Sequence, residues 1–486
     1  MWPWRARRCE SFENRPKPSR CTVTLREQMK RWDPQRLAHV AHAQLLHAPP
    51  QAISGPDRVT IDSRDAGPGT LFVGLPGEHV HGGEFAAAAL EAGAWGILTS
   101  PEYAAAATVG YTAGPAGPAV ILSAADPLVA LQSLATAWRR ELGAQVIGVT
   151  GSTGKTSTKE MLLTVLSPHR LTVASKANFN TEIGLPLQIL AAPAGTEVLV
   201  LEMAMRGSGQ IAELARIAEP DIGVIVNIGP VHLEMLGSIE AIAAAKAELI
   251  AALPAGGTVV IPAGEALLQP HLRADLRTLR FGDGGEVRLL QADESRVEIY
   301  LKDRVVLFEV DFTAPHLRTD LLAAAAAAYA VGVTPGGNLE FTVGAGHGGH
   351  QQLAGGITLI DGAYNANPMS MRATLDELVA TAASVQATRR VAVLGDMLEL
   401  GPDELAYHEQ VGLIADDSAD ILITVGPMAA TMAGVFHGEH HHAADAEAAA
   451  TLLPSILRPG DVVLVKGSLG VGLKVVCEKL TAGAPA

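Results

Sequence analysis

At 486 residues the chain has room for about three domains, and an apolar fraction of 48% can fill a core in each. A net charge of −15 argues against a basic nucleic-acid-binding surface, and three cysteines give no disulfide framework. The longest apolar run, Leu321 to Val333, is too short and too alanine-rich to span a bilayer. Few aromatics beside abundant Ala, Gly and Val favour an α/β protein, expected in the cytoplasm.

Residues 1–31 differ from the rest. Trp2, Trp4, Arg5, Arg7, Arg8, Arg15, Lys17, Arg20 and Arg26 make a basic, Pro-containing stretch without periodicity. It lacks the apolar centre of a secretory signal. It is read as a disordered extension, with Met29 as an alternative translation start.

Residues 32–142 read as a small α/β domain. Asp33-Pro34 is an N-cap and first-turn pair, with Leu37, Val40, Ala41 and Leu45 on one helical face. Within Val59 to Phe85 two β runs flank a turn, and Ser63-Arg64 closes the first of them. Arginine at a strand end suits anion recognition, because its planar fork matches phosphate oxygens. An Ala-rich helix, Phe85 to Ala92, and strands Gly96 to Thr99 and Ala119 to Ser123 complete the unit.

Residues 143–335 carry the strongest signal. Val146, Ile147 and Val149 form a β-branched apolar run, then comes Gly151-Ser152-Thr153-Gly154-Lys155-Thr156-Ser157, then a helix-periodic segment to Leu166. Strand, glycine turn and helix are the context of a phosphate-binding loop. Backbone N–H groups crowd around phosphate oxygens at the glycines, and the helix N-terminus adds partial positive charge. Lys155 is expected to reach the β- and γ-phosphates, with the Thr156 hydroxyl on Mg²⁺. The loop is the shorter G-x-x-G-K-T form, since Val149 stands where a strict pattern has glycine.

The apolar strand Glu197 to Leu201 suits a parallel sheet covered on both faces and delivers Glu202 at its carboxyl end. Ligands of open α/β sheets bind beyond those ends, so Glu202 is a candidate metal ligand. A helix at Gln210 to Ala218 leads to the strand Ile222 to Val226, after which His232 becomes a second candidate. Lys246 lies on an Ala-rich helix and by itself reads as a solvated face.

Residues 336–486 repeat a doubly wound pattern, with strands at Ile357 to Ile360, Val391 to Leu394, Ile421 to Val425 and Val462 to Val465. Asp361, Gly395-Asp396 and Lys466-Gly467-Ser468 follow strand ends and are expected on one sheet edge. The alanine runs Ala323 to Ala328 and Ala443 to Ala450 read as helix. His437, His440, His441 and His442 read as solvated residues of a loop rather than metal ligands.

Together these motifs resemble the Mur ligases, in the branch that adds D-alanyl-D-alanine (the MurF type). The stretches carrying the resemblance are IDSR…GTLFVGLPGE (61–78), VTGSTGKTSTKEM (149–161), NFNTEIGLPL (178–187), LEMAMRGSGQIAELARIAEPDIGVIVNIGPVHLEMLGS (201–238), AAAKAEL (243–249), DGAYNANPMSM (361–371), VAVLGDMLELG (391–401) and VKGS (465–468). The resemblance implies a UDP-binding domain, a central ATPase-like parallel-sheet domain and a C-terminal Rossmann-like domain, acting as a monomer. It implies that ATP phosphorylates the C-terminal carboxylate of UDP-N-acetylmuramoyl tripeptide, and that D-alanyl-D-alanine then attacks the acyl phosphate. By the same resemblance Thr156 and Glu202 hold one Mg²⁺ and His232 a second. Lys246 matches the family lysine that is typically carbamylated. Asp361 and Asn365, with Tyr364 and Asn367 in the same loop, lie at the nucleotide; Ser63 and Arg64 face UDP; Asn180, Thr181, Lys466 and Ser468 lie toward the other substrates.

Four positions depart from the family pattern: Asp320 for Asn, His347 for Arg, Gly362 for Asp and Leu469 for Arg. They keep two other readings open: a nucleotide-binding relative with altered chemistry, and another ligase of the superfamily such as folylpolyglutamate synthase.

Overall fold

The computed structural model describes residues 29–50, 53–110, 119–176, 178–339 and 349–482. His347 lies outside the described residues, as does the basic extension up to residue 28. Met29, counted with that extension by its sequence, is fully buried and shares a core with Trp32 and Leu37.

The first sheet has five strands. Arg58–Thr60, Thr70–Gly74, Gly96–Thr99 and Val120–Ser123 run parallel, and Gln44–His47 adds antiparallel to the last. The next helix, Pro127–Leu142, is capped by Asp126, whose carboxylate accepts from Leu128 N and Val129 N. Its side chains anchor it to the central domain. Trp138 Nε1 donates to Ala192 O at 3.0 Å, and Arg139 donates to Ala218 O and Glu219 O. The first and second domains thus share one continuous apolar core.

The second sheet has ten strands. Gln145–Thr150 is central, with Val198–Glu202 on one side and Ile222–Ile225 on the other, all parallel. Thr172–Ala174 extends one flank; Thr258–Pro262 and Arg277–Phe281 extend the other. Beyond them the sheet adds antiparallel strands to the parallel ones expected. Val287–Ala292, Arg296–Leu301 and Arg304–Val310 form an antiparallel meander, closed by Gly337–Leu339. The meander's period-two burial (Val297, Ile299 and Leu301 in; Arg296 and Glu298 out) marks strands with one wet face. The alanine run 323–328 lies wholly buried in the helix Pro315–Ala330. Its small side chains let that helix pack closely on the one after the phosphate loop.

The third sheet has six strands. Ile357–Gly362, Val462–Lys466, Arg390–Gly395, Ile421–Val425 and Glu439–Ala443 are parallel, and Gly349–Leu353 is antiparallel at one edge. The other edge is the histidine stretch: His440, His441 and His442 belong to a strand, not a loop. The second alanine run is split accordingly, Ala443 ending the strand and Ala446 opening a helix capped by Asp445. A short, polar edge strand of this kind offers little to a foreign strand.

Candidate active site

A cleft of about 1290 Å³ opens where the carboxyl ends of the second and third sheets face each other. The phosphate loop forms its floor. Gly151 and Gly154 have φ of 159° and 73°, and Gly154 hands the chain into the helix Lys155–Leu166. Only Gly154 of the two needs the left-handed region, and a Cβ there would meet Asp320 Oδ1 at 2.3 Å. Asn227, at the end of the neighbouring strand, braces the loop: its Oδ1 accepts from Ser152 N and Thr153 N, and its Nδ2 donates to Thr153 Oγ1. Lys155 Nζ donates to Gly151 O at 2.9 Å. Burial pushes the Lys155 ammonium below the usual lysine range, with Glu202 opposing.

Glu202 is 3% exposed. Its two oxygens accept separately, Oε2 from Thr156 Oγ1 at 3.0 Å and Oε1 from Asn180 Nδ2 at 2.9 Å. Lys159, one helical turn past Lys155, is fully buried beneath them. Its Nζ donates to Ser175 O at 2.7 Å and lies 4.0 Å from Glu202. Sequence reading missed Lys159, whose only signal is a basic residue on the sheet-facing side of that helix.

His232 takes a left-handed conformation (φ 54°) just after the strand Ile222–Ile225, and its Nδ1 is bonded to Glu399 of the third domain. Burial lowers its pKa, the Glu399 hydrogen bond opposes that shift, and Lys246 and Lys155 lower it further. Lys246 is 2% exposed, so the solvated-face reading fails. Burial, and then the charge of Lys155, push its ammonium well below the ordinary lysine range. Thr156, Glu202, His232 and Lys246 all line the one cleft, as do Asn180, Thr181, Asn365, Lys466 and Ser468. Lys466 Nζ donates to Asn365 O at 2.8 Å, and burial brings its pKa down to about 8.

Three candidates do not reach the cleft. Asp361 is turned inward, accepting from Ala363 N and from Cys477 Sγ at 3.3 Å. Ser63 and Arg64 sit in a short helical turn of the first domain, where Arg64 is 87% exposed and paired with Asp62. Among the departures, Leu469 is 65% exposed on the cleft rim.

Asp320 closes the loop from above. It accepts from Ser157 Oγ at 2.5 Å, and burial raises its pKa to about 7 against that hydrogen bond. An unfolded aspartate titrates near 3.8. Folding therefore favours the protonated form, and stability falls as pH rises from about 4 to about 7, then levels. Asp320→Asn keeps an acceptor for Ser157 and removes the ionisation. It is expected to stabilise the chain by up to about 4 kcal/mol at pH 8 and by little at pH 4. Denaturant unfolding at the two pH values checks this, and equal gains at both would assign the effect elsewhere.

Among the described residues, no three His, Cys, Asp or Glu side chains converge to hold a metal by themselves. The oxygen donors Glu202 and Thr156 fit Mg²⁺, which typically takes one or two protein carboxylates and completes its shell with water and substrate phosphate.

Known proteins place the chain. The family model described as Mur ligase family, catalytic domain, matches residues 57–139; Mur ligase middle domain matches 149–328; Mur ligase, glutamate ligase domain, matches 350–469. The UDP-N-acetylmuramoyl-tripeptide–D-alanyl-D-alanine ligase of Mycobacterium bovis is 39% identical over 468 residues, covering 87% of this chain and 92% of that protein. The Bacillus subtilis enzyme of the same name is 35% identical over 434 residues, with the same coverage. Among solved structures, MurF from Acinetobacter baumannii superposes with a TM-score of 0.80 at 26% identity, covering 93% of this chain and 99% of that one. MurF from Thermotoga maritima, in complex with ADP, gives 0.72 at 28%, covering 87% and 97%. Folylpolyglutamate synthase of Mycobacterium tuberculosis, at 16% identity and a TM-score of 0.56 over 74% of this chain and 95% of that one, shares the fold alone. By its three matched domains and these relatives, the chain belongs to the Mur ligase family, MurF type.

Proposed function

We propose that this chain is an ATP-dependent ligase joining D-alanyl-D-alanine to UDP-N-acetylmuramoyl tripeptide, a cytoplasmic step of peptidoglycan synthesis. The observation that carries the reading is the convergence of Lys155, Thr156, Glu202, His232 and Lys246 in one cleft walled by two domains. ATP binding is supported by the phosphate loop and by the ADP complex of the Thermotoga relative.

The chemistry has two steps. A carboxylate oxygen of the tripeptide attacks the γ-phosphorus and ADP leaves. The amine of D-alanyl-D-alanine then attacks the acyl carbon, phosphate leaves and the nitrogen loses a proton. The obstacle is an anion approaching an anion. Each pair of like unit charges about 4 Å apart costs roughly 4 kcal/mol at an effective dielectric near 20. Lys155 offsets this at the β- and γ-phosphates once it leaves Gly151 O. Gly151 to Ser157 cradle the phosphates, with Asn365 toward the rest of the nucleotide. Thr156 and Glu202 would hold one Mg²⁺, and His232, with Lys246 if carbamylated, would hold a second. The ions, when bound, neutralise phosphate charge and polarise the transferred group.

Asn180 donates to Glu202 Oε1, and from that place beside the metal set it orients the acceptor chain. Lys466 and Ser468 shape the wall facing D-alanyl-D-alanine. UDP lies toward Ser63 and Arg64, where it competes with Asp62 for the guanidinium.

The test is phosphate release with ATP, Mg²⁺, D-alanyl-D-alanine and UDP-N-acetylmuramoyl tripeptide, omitting each in turn. Release that requires all four establishes the ligase. ATP binding without release would instead support the altered-chemistry reading, with His347 and Leu469 as the first positions to restore.

A further inference from the structure

Glu399 stands on the loop after the strand Arg390–Gly395, 167 residues from His232, yet its carboxylate holds the His232 ring. The contact is part of a seam between the second and third domains, where the short helix Leu233–Leu236 meets the loop leading to Gly401–Asp403. Glu234 N donates to Glu399 O at 3.2 Å, and a Cβ on Gly401 would lie 3.4 Å from Glu234 N. Both partners sit in the left-handed region, Glu399 at φ 63° and His232 at 54°, which non-glycine residues seldom occupy unless their surroundings fix them. The loop carrying Glu399 is itself fixed. Met397 N donates to the fully buried His408 Nε2, Leu398 N donates to Ser468 Oγ, and Ala429 N donates to Asp396 Oδ1. Arg206 approaches the other carboxylate oxygen at 4.0 Å.

A carboxylate only accepts, so His232 Nδ1 must carry the hydrogen. That leaves Nε2 of a neutral ring with its lone pair free, in a cleft shared with Lys155, Lys246 and Glu202. We propose that Glu399 is a positioning residue for the ligase reaction: docking of the third domain's loop sets the tautomer and aim of His232, tying the metal-binding end of the cleft to domain arrangement. The inference rests on the proposed metal role of His232, and its first readout needs neither metal nor turnover. Carboxylate partners of ligating histidines commonly contribute 10- to 100-fold in affinity or activity.

Ring ¹⁵N shifts of His232 are measured in the metal-free full chain, assigned by loss of the signal in His232→Gln. The wild type and Glu399→Gln, whose amide oxygen still accepts, are expected to show Nδ1 protonated and Nε2 bare. Glu399→Ala is expected to show mixed tautomers. In the ligase assay Glu399→Ala should lower kcat by roughly 10- to 100-fold with KM for ATP within about twofold, and Glu399→Gln should recover most of it. Should Glu399→Ala fold poorly, Glu399→Asn tolerates the left-handed backbone, is one carbon too short for the ring, and is expected to behave as the alanine variant. Unchanged tautomer in the alanine or asparagine variant overturns the proposal, and so do equal losses in Gln and Ala. A tautomer change in a chain with no ligase turnover would leave the positioning role standing and count against the proposed function instead.

Discussion

Lys155→Ala is expected to cut ATP-dependent phosphate release by at least 10²- to 10³-fold, the scale for removing one preorganised charge-stabilising group. Lys155 Nζ now rests on Gly151 O, and burial holds its ammonium below the ordinary range against the opposing charge of Glu202. That state is poised for an anion, because a phosphate entering the loop restores the solvation that the cleft wall has removed. Alanine leaves the loop's backbone donors and the Asn227 brace in place, so nucleotide binding should weaken less than turnover falls. Steady-state kinetics with a parallel ADP titration separate the two effects. Full turnover in the variant would remove Lys155 from the chemistry and with it the assignment of the cleft.

Legibility in the sequence tracked how local each determinant is. The phosphate loop was readable because strand, glycine turn and helix are consecutive, and each constrains the next. Glu202 and His232 were readable from their places just past apolar strands, where α/β sheets put their ligands. Lys246 was the opposite case. Its alanine-flanked helix looks solvated, and only the packing of that helix against the sheet buries it. Lys159 escaped notice for the same reason. Glu399 could not be found by local pattern, since its partner belongs to another domain. Ser63 and Arg64 illustrate a further limit: a motif can be recognised while its distance from the cleft, and the Asp62 pairing, stay hidden. The meander at Val287–Val310 is legible by alternation, yet only the parallel strands of the central sheet were read from the sequence. Asp361 sits at a strand end as expected, yet its carboxylate accepts from Ala363 N and from the thiol of Cys477, the latter a long-range contact that no spacing rule encodes.

Lys246→Ala carries the second large expectation: activity lowered by at least about 10²-fold, or roughly 3 kcal/mol of lost transition-state stabilisation, and partly restored by formate or acetate. The reasoning begins with the cost of a buried ammonium. Lys246 is 2% exposed, faces the charge of Lys155, and has no hydrogen-bond or ion-pair partner among the described residues. Such a side chain is driven toward the neutral amine, whose nitrogen lone pair adds to CO₂ and releases a proton, giving a carbamate. The product is an anion with two oxygens, which reverses the repulsion from Lys155 into attraction and supplies the hard donor that Mg²⁺ prefers. A small carboxylate diffusing into the space left by alanine reproduces those oxygens without the tether, so rescue should saturate with carboxylate concentration. A carbamate signal from the wild type under ¹³CO₂, absent in Lys246→Ala, gives an independent reading. Loss of activity with neither rescue nor that signal would assign Lys246 to packing of its helix, since the alanine variant also removes a long buried stem.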